Sequence, residues 1–155
     1  GLKPQIKYPN DVLIDGKKVC GILCESVLKK NIIQGVVLGI GVNLNMPLSL
    51  VEKIEKPATS LNLLTGHSID RQEFLEKLLK EFFSKYQDVI ERGFCSFEQE
   101  YLKRNNFLGK TVFIQQTDNS QRQEYFAVKM DENGNLVVKN SDDEEKIIFS
   151  GDLSI

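Results

Sequence analysis

The sequence has no tryptophan, one histidine and three cysteines among its 155 residues, and these scarcities limit the kinds of site it can form. Cys20 and Cys24 lie four positions apart on an apparent strand, so their side chains point to one face. Two thiols do not complete a zinc site, and His67 is far along the chain from both. We therefore interpret the cysteines as small buried apolar residues without a metal or redox role.

Long hydrophobic runs are also absent. No stretch approaches the roughly 20 apolar residues that cross a bilayer, and the first residues lack the apolar core of a signal peptide. With an odd number of cysteines, these features favour a reduced, cytoplasmic protein that makes no membrane contact.

The charge is unevenly distributed along the chain. Residues 1–105 carry 15 Lys and Arg against 13 Asp and Glu, whereas residues 106–155 carry 5 against 9. A nucleic-acid-binding module needs a basic face, so no nucleic-acid contact is expected from this acidic C-terminal segment.

The first third of the chain is typical of β structure. A run over Val12–Ile14 is followed by Asp15-Gly16, a dipeptide that favours a tight hairpin turn, and then by a second run over Lys17–Val27. Asn31 marks another turn. The segment Gly35–Asn43 is apolar throughout, which predicts a strand covered on both faces.

The middle third predicts a long helix. Asp70 is a suitable N-cap and Gly93 a suitable stop, and a short helix is expected from Ser96 to about Arg104. Apolar residues recur at helical spacing between those limits, and we interpret this stripe as core packing: Phe74, Leu75, Leu78, Leu79, Phe82, Phe83, Tyr86, Val89 and Ile90.

The last third contains four short β-prone runs separated by polar turns. This spacing is typical of a small barrel or sandwich. The runs are Val112–Ile114, Tyr125–Val128, Leu136–Val138 and Ile147–Phe149, and the turns are Thr117–Gln121, Asp131–Gly134 and Asn140–Asp143. We therefore predict an α/β domain with a mixed sheet over residues 1–105, followed by a small all-β domain over residues 106–155.

Three short motifs occur in order: Lys7-Tyr8-Pro9-Asn10-Asp11, Lys18 to Glu25, and Gly39 to Asn45. Each alone is most often structural, but together they resemble the biotin protein ligases. That family has Lys-Trp-Pro-Asn-Asp, Lys-x-x-Gly-Ile-Leu-x-Glu and Gly-x-Gly-x-Asn segments, and Tyr8 replaces its usual tryptophan. The segments Pro57–Leu61 and Leu108–Val112 also resemble the family, so the likeness covers nearly the whole chain.

The resemblance implies an ATP-dependent ligase. Such an enzyme joins biotin to AMP as biotinyl-5′-adenylate and transfers biotin to a lysine of a biotin carboxyl carrier protein of a carboxylase. The first 105 residues then correspond to the C-terminal part of the catalytic domain. Residues 106–155 correspond to the family's SH3-like domain.

The resemblance also implies roles for individual residues. Lys18 matches the catalytic lysine and, with Gly21, Leu23 and Gly39, is expected to bind biotin. An ammonium suits the biotin carboxylate and the adenylate phosphate, and glycines allow close approach of the ligand. The residues expected at ATP or the adenylate are Lys7, Asn10, Asp11, Gly41, Val42 and Asn43. Asp11 is also a candidate ligand for Mg²⁺.

Part of the family's site is not expected in this sequence. A Gly- and Arg-rich loop and a strand that contacts the biotin ring lie upstream of Pro-Asn-Asp in the family, whereas this sequence starts just before that motif. We therefore expect an open sheet edge, an uncovered apolar face, self-association as a possible homodimer, and weak activity of this chain alone.

Three alternative interpretations stay open. A lipoate-type ligase fragment shares the adenylate chemistry. A protein-interaction module would use the C-terminal barrel, which could bind protein or RNA, although its acidity disfavours RNA. A degenerate fragment would dimerise without function.

Overall fold

The computed structural model describes residues 1–116 and 121–155. The chain forms two compact units, one made of residues 1–5 and 10–71 and the other of residues 6–9 and 72–155. The predicted boundary at residue 105 lies between the last helix and the second sheet, and it stays a prediction. The combination of an α/β segment and a small all-β segment is confirmed.

The N-terminal part of the chain forms a four-stranded sheet. Its strands are β1 (Pro4–Lys7), β2 (Asp11–Ile14), β3 (Lys17–Lys29) and β4 (Ile32–Val42), in the spatial order β1-β2-β3-β4. The sequence predicted all of them except β1. Strands β2 and β3 are antiparallel, as are β3 and β4.

Two-residue turns fix the register of these strands. Asp15 and Gly16 have φ values of 50° and 73°, and Lys30 and Asn31 have φ values of 50° and 61°. Positive φ at both central residues matches the right-handed twist of the flanking strands, so both turns favour tight antiparallel hairpins. Both predicted turns are confirmed.

The apolar strand β4 differs from expectation. None of its eleven residues, all of which the structure describes, is buried, and Ile32 and Val36 are 64 % and 57 % exposed. Val27 and Leu28 of the neighbouring strand are 49 % and 60 % exposed. The prediction of a strand covered on both faces is therefore wrong for this chain, whereas the expected uncovered apolar face and open edge are present.

The polypeptide after β4 forms two short helices, α1 (Leu48–Val51) and α2 (Leu61–Thr65). Gly66 ends α2 in a left-handed conformation with φ of 78°. Between the helices, residues 52–60 return to the sheet, and this return places part of the candidate site.

The second part of the chain begins with helices. The long helix α3 (Arg71–Arg92) begins directly after Asp70 and ends directly before Gly93, as predicted. A 3-10 turn (Gly93–Ser96) then leads to α4 (Glu98–Arg104). The interpretation of the α3 stripe as core is wrong. No residue of this fully described helix is buried, and Phe83 is 64 % exposed.

The C-terminal sheet has five strands: β5 (Thr111–Gln115), β6 (Gln123–Met130), β7 (Leu136–Lys139), β8 (Glu145–Ile148) and β9 (Asp152–Ser154). Their spatial order is β8-β7-β6-β5-β9, and β9 was not predicted. Turns fill residues 131–134 and 140–143 as expected. The predicted turn at Thr117–Gln121 lies outside the described residues except for its last position.

The core of this second unit is apolar and includes one residue from the N-terminal motif. Buried side chains alternate with exposed ones along β5, and three consecutive residues of β7 are buried. Tyr8 is only 6 % exposed, packs edge-on against Phe107 with ring centroids 5.8 Å apart, and donates a hydrogen bond to the Ile148 carbonyl oxygen at 2.8 Å. The aromatic ring of the motif is therefore a core residue.

Two further expectations concern the cysteines and the membrane. All three cysteines are free, but Cys24 and Cys95 are exposed and Cys20 is half-buried, so the prediction that they are buried is wrong. Among the helices of the described residues, none is both long and apolar enough to span a bilayer.

Candidate active site

Three neighbouring strands bring one polar residue and two glycines into a row. Asp11 on β2 is paired with Gly21 on β3, and Gly21 is paired with Gly41 on β4. Two residues further along β3, Leu23 is paired with Gly39. Alternate residues of a strand share a face, so Gly21, Leu23, Gly39 and Gly41 lie on the same side of the sheet.

Lys18 reaches this face because the register shifts beside it. The shift between Val12 and Leu13 of β2 changes the direction in which the side chains opposite them on β3 point. Lys18 Nζ then lies 2.5 Å from Asp11 Oδ1, with the two side chains 44 % and 18 % exposed.

The side chain of Lys18 passes directly over Gly21. A Cβ atom placed on Gly21 would lie 2.9 Å from both Cε and Nζ of Lys18 and 3.5 Å from Asp11 Oδ1. Only glycine leaves room for the lysine in this position. The structure therefore gives a specific reason for glycine at position 21, which the motif alone did not provide.

The segment that returns from α1 holds the backbone of Lys18 from the other side. The Lys18 amide donates to the Pro57 carbonyl oxygen at 2.9 Å, and the Thr59 amide donates to the Lys18 carbonyl oxygen at 2.9 Å. These bonds form a short parallel bridge between Lys18 and Ala58. The lysine is thus held at both backbone groups, which limits the positions its side chain can take.

Asn43 is fixed at the end of β4. Its backbone amide donates to the Val19 carbonyl oxygen at 2.9 Å, and its side-chain amide donates to the Thr59 carbonyl oxygen at 2.9 Å. The hydroxyl of Ser60, which is fully buried, donates to the Asn43 carbonyl oxygen at 3.0 Å. One amide hydrogen of Asn43 is therefore in use, and Oδ1 is left as its acceptor.

Two cavities open on this region and share Lys18, Gly21 and Gly41. The smaller, of about 430 Å³, is also lined by Asn10, Ile22, Leu23, Gly39 and Ile40. The larger, of about 700 Å³, is also lined by Cys20, Val42, Asn43, Ile54, Glu55, Lys56 and Ala58. Lys18, Gly21 and Gly41 therefore lie at the junction of the two cavities, where ligands bound in both would be in contact.

Most of the predicted site residues are brought together here. Those expected for biotin lie on the smaller cavity, and Gly41, Val42 and Asn43, expected for the nucleotide, lie on the larger. Asn10 lies on the smaller cavity although it was grouped with the nucleotide. Lys7 belongs to the second unit, where its Nζ pairs with Asp152 Oδ1 at 2.9 Å.

Sequence reasoning missed the wall formed by Ile54, Glu55, Lys56 and Ala58. These residues precede or begin the Pro57–Leu61 segment, which carried a family resemblance but no assigned role. The charged residues Glu55 and Lys56, directly before that segment, were the sequence feature that could have indicated this wall. Cys20 was also missed, and burial raises the pKa of its thiol although the Lys18 ammonium opposes the rise.

The donor set fits a magnesium ion only in part. Among residues 1–116 and 121–155, no group of three or more His, Cys, Asp or Glu side chains could hold a metal ion. Magnesium in nucleotide sites commonly takes one or two carboxylates and completes its shell with phosphates and water, so Asp11 alone is compatible with it. That carboxylate is already shared with Lys18.

The sequence of the chain is similar to those of known ligases. Residues 2–43 match the model of the Biotin/lipoate A/B protein ligase family. The chain is 38 % identical over 95 residues to the bifunctional ligase/repressor BirA of Bacillus subtilis, covering 61 % of this chain and 29 % of that protein. It is 37 % identical to the biotin–[acetyl-CoA-carboxylase] ligase of Paracoccus denitrificans, covering 86 % of this chain and 56 % of that protein.

Solved structures give the same result for the fold. The apo biotin protein ligase of Aquifex aeolicus superimposes with a TM-score of 0.80 at 30 % identity, over 97 % of this chain and 64 % of that one. The same ligase in complex with biotin and ATP superimposes with a TM-score of 0.75. The chain thus spans less than two thirds of the length of these relatives.

Proposed function

Because the chain belongs to the biotin protein ligase family, we propose that it contributes the Lys18 side of a site that joins biotin to ATP. The observation that carries this proposal is the pair of cavities meeting at Lys18, Gly21 and Gly41. A reaction between an organic acid and a nucleotide needs two adjoining compartments and a cation where the reacting atoms meet.

The smaller cavity suits biotin. Ile22, Leu23 and Ile40 give it an apolar wall, and Gly21 and Gly39 let a ligand approach the strand backbones. Lys18 lies at the cavity's shared end, where its ammonium can bind the carboxylate of the acid. This arrangement orients the acid with its reactive group towards the larger cavity.

The larger cavity suits the nucleotide. Asn43 offers Oδ1 to an exocyclic amino group of a purine, and its fixed backbone keeps that acceptor in place. Gly41 and Val42 present strand backbone to the ligand without a bulky polar side chain. A relative solved with biotin and ATP has the same fold, which supports this assignment.

The chemistry follows from these positions. A carboxylate oxygen of biotin attacks the α-phosphorus of ATP, the bond to the bridging oxygen of the β-phosphate breaks, and pyrophosphate leaves. Lys18 stabilises the negative charge that gathers on the α-phosphate oxygens. Asp11 orients the lysine and is also the proposed carboxylate ligand of Mg²⁺, which would supply additional positive charge.

In the second step, the amine of a carrier-protein lysine attacks the acyl carbon of biotinyl-5′-adenylate. The amide forms, AMP leaves with the electrons of the broken acyl–phosphate bond, and the amine loses a proton. We propose a biotin carboxyl carrier domain as the acceptor of biotin. The ligase function of the whole protein is part of this proposal, since the chain covers 56 % of the Paracoccus relative.

The test is biotin-dependent exchange of pyrophosphate with ATP. We expect weak exchange from the chain alone and strong exchange when the N-terminal part of a relative's catalytic region is supplied with it. Lipoate in place of biotin separates the two ligase types that the matching family model includes. Exchange that depends on lipoate and ignores biotin would contradict the proposal, as would no exchange from a demonstrably formed complex.

A further inference from the structure

We propose that a cleft of the C-terminal sheet binds an arginine side chain that an extended segment of a partner protein presents. The cleft has a volume of about 330 Å³ and shares no lining residue with the two cavities of the candidate active site. Strands β5, β6 and β7 and the turn after β7 form it, and all of them belong to the second unit. The inference is therefore independent of the proposed ligase function.

Strand β6 places a carboxylate and an aromatic ring side by side on the cleft. Glu124 and Phe126 are alternate residues of β6, so their side chains lie on the same face of the sheet, and both line the cleft. Tyr125 between them is buried, so this is the outer face, and Phe126 is 47 % exposed. Within residues 1–116 and 121–155, no ion pair of Glu124 is found. An incoming cation can therefore reach this carboxylate.

The wall of the cleft on the β7 side is held in place by hydrogen bonds around Asn140. Its Oδ1 accepts from the amides of Asp142 at 3.0 Å and Glu144 at 2.9 Å, and its Nδ2 donates to Glu144 Oε2 at 2.9 Å. The ammonium of Lys139, which also lines the cleft, is paired with Asp143 at 2.8 Å. Residues 142–145 are consecutive carboxylates, so this wall keeps a negative charge after that pair is counted.

These groups together favour a guanidinium as the ligand. A guanidinium is planar, so it can stack on the exposed ring of Phe126 while it donates two hydrogen bonds to the carboxylate of Glu124. The ammonium of a lysine has no such planar pair of donors. Residues 106–155 carry 5 Lys and Arg against 9 Asp and Glu, so the field around the cleft attracts a cation and disfavours the phosphates of a nucleic acid.

A polypeptide suits the cleft better than the free amino acid does. Free arginine carries its own carboxylate, which the carboxylates of residues 142–145 repel, whereas an arginine within a chain lacks that charge. Basic residues that flank it in the same segment can pair with residues 142–145, which directly follow the lining residues Asn140 and Ser141. The partner therefore presents its arginine in a basic, extended segment.

The experiment is an NMR titration of the full chain that resolves individual amide signals. The peptide acetyl-Gly-Lys-Gly-Arg-Gly-Lys-Gly-amide should shift the signals of Phe126 and Asn140. It should bind about tenfold more tightly than the same peptide with lysine in place of arginine, and more tightly than free arginine.

Two variants and two matched controls locate the binding. Glu124→Gln should weaken binding of the arginine peptide by about tenfold, and Phe126→Ala by about fivefold. Glu132→Gln changes the net charge equally at an exposed position outside the cleft lining, and Phe149→Ala removes a ring that is 72 % exposed and also outside the lining. Both controls should bind as wild type does, and unchanged amide signals elsewhere show that each variant is folded.

The contrary results are equally specific. Equal affinity for the arginine and lysine peptides would overturn the choice of a guanidinium, and free arginine that binds as tightly as the peptide would overturn the choice of a protein partner. Equal losses in Glu124→Gln and Glu132→Gln would reduce the effect to general charge and remove the site. Absence of any shift at millimolar peptide would overturn the whole inference and leave the proposed ligase function unaffected.

Discussion

The ammonium of Lys18 and the carboxylate of Asp11 form an ion pair of 2.5 Å between neighbouring strands, and that lysine lines both cavities of the candidate site. Asp11 is 18 % exposed and Lys18 is 44 % exposed. The carboxylate therefore sits on the inner side of the pair and holds the lysine with its accessible side towards the cavities. This arrangement orients a cation for an incoming anion.

Removing that cation should affect the chemical step strongly. Lys18→Ala is expected to lower biotin-dependent pyrophosphate–ATP exchange by about 100- to 1000-fold, the usual effect of deleting one stabilising group at a developing charge. Lys17→Ala is the control, because Lys17 is exposed on the same strand and outside both cavity linings. Equal rates in Lys18→Ala and wild type would rule out the proposed role of Lys18.

A methyl group at Gly21 should displace the lysine without unfolding the sheet. In Gly21→Ala the new Cβ would lie 2.9 Å from the flexible end of Lys18, which can move away. We expect biotin binding about tenfold weaker and a nearly unchanged free energy of unfolding. Gly35→Ala on the same hairpin is the control, since no atom lies within 4 Å of its new Cβ. Isothermal titration calorimetry with biotin measures the difference, and similar affinities in the two variants would refute the steric argument.

Tyr8→Phe should test the anchoring of the second unit. Loss of the buried hydrogen bond to the Ile148 carbonyl oxygen is expected to lower the free energy of unfolding by about 1–2 kcal/mol. Tyr86→Phe removes a hydroxyl from a residue that is 48 % exposed, and its effect should stay within about 0.5 kcal/mol. Urea denaturation checks both variants. A Tyr8→Phe protein as stable as wild type would show that the hydrogen bond contributes nothing.

Alkaline pH should destabilise the second unit through Tyr101. Burial raises the pKa of its hydroxyl from 10.0 to about 12. The unfolded chain loses this proton first, so the contribution of the neutral phenol to stability is complete below pH 10 and is lost as the pH rises towards 12. Tyr101→Phe should therefore show a shallower loss of stability over this interval. Parallel curves for variant and wild type, measured by denaturation at each pH, would contradict the assignment.

The exposed edge strand should make the isolated chain associate. Lysine on an edge strand opposes pairing with another strand, so Val36→Lys, at a side chain 57 % exposed, should shift the mass measured by light scattering towards the 17.6 kDa monomer. Leu48→Lys, at an equally exposed apolar residue on α1, is the control and should leave association unchanged. A wild-type chain that is already monomeric at high concentration would remove the basis of this prediction.

Sequence reasoning succeeded where a feature depends on neighbouring residues. The turn at Asp15-Gly16 was predictable because a tight hairpin requires positive φ at adjacent positions, and the structure has 50° and 73° there. The limits of α3 were predictable from Asp70 and Gly93 for the same local reason. The grouping of Gly21 and Leu23 on one face followed from strand alternation.

It failed where a property depends on contacts distant in sequence. An apolar run such as β4 cannot show whether another segment covers it, and here its side chains are exposed. The α3 stripe was misinterpreted for the same reason. Ile54 and Lys56 reach the cavity because residues 57–59 bridge to Lys18, a contact with no periodic signature. Resemblance to a family found the motifs but did not reveal this wall.

The motif from Lys7 to Asp11 is divided between two parts of the molecule, since residues 6–9 belong to one compact unit and residues 10 and 11 to the other. These five consecutive residues therefore contribute to two different compact units. Substitutions at Tyr8 should be inherited together with changes at Phe107, its packing partner. Substitutions at Asp11 should instead accompany changes at Lys18. A motif that is continuous in the sequence would then change as two separate sets of residues, one coupled to Phe107 and the other to Lys18.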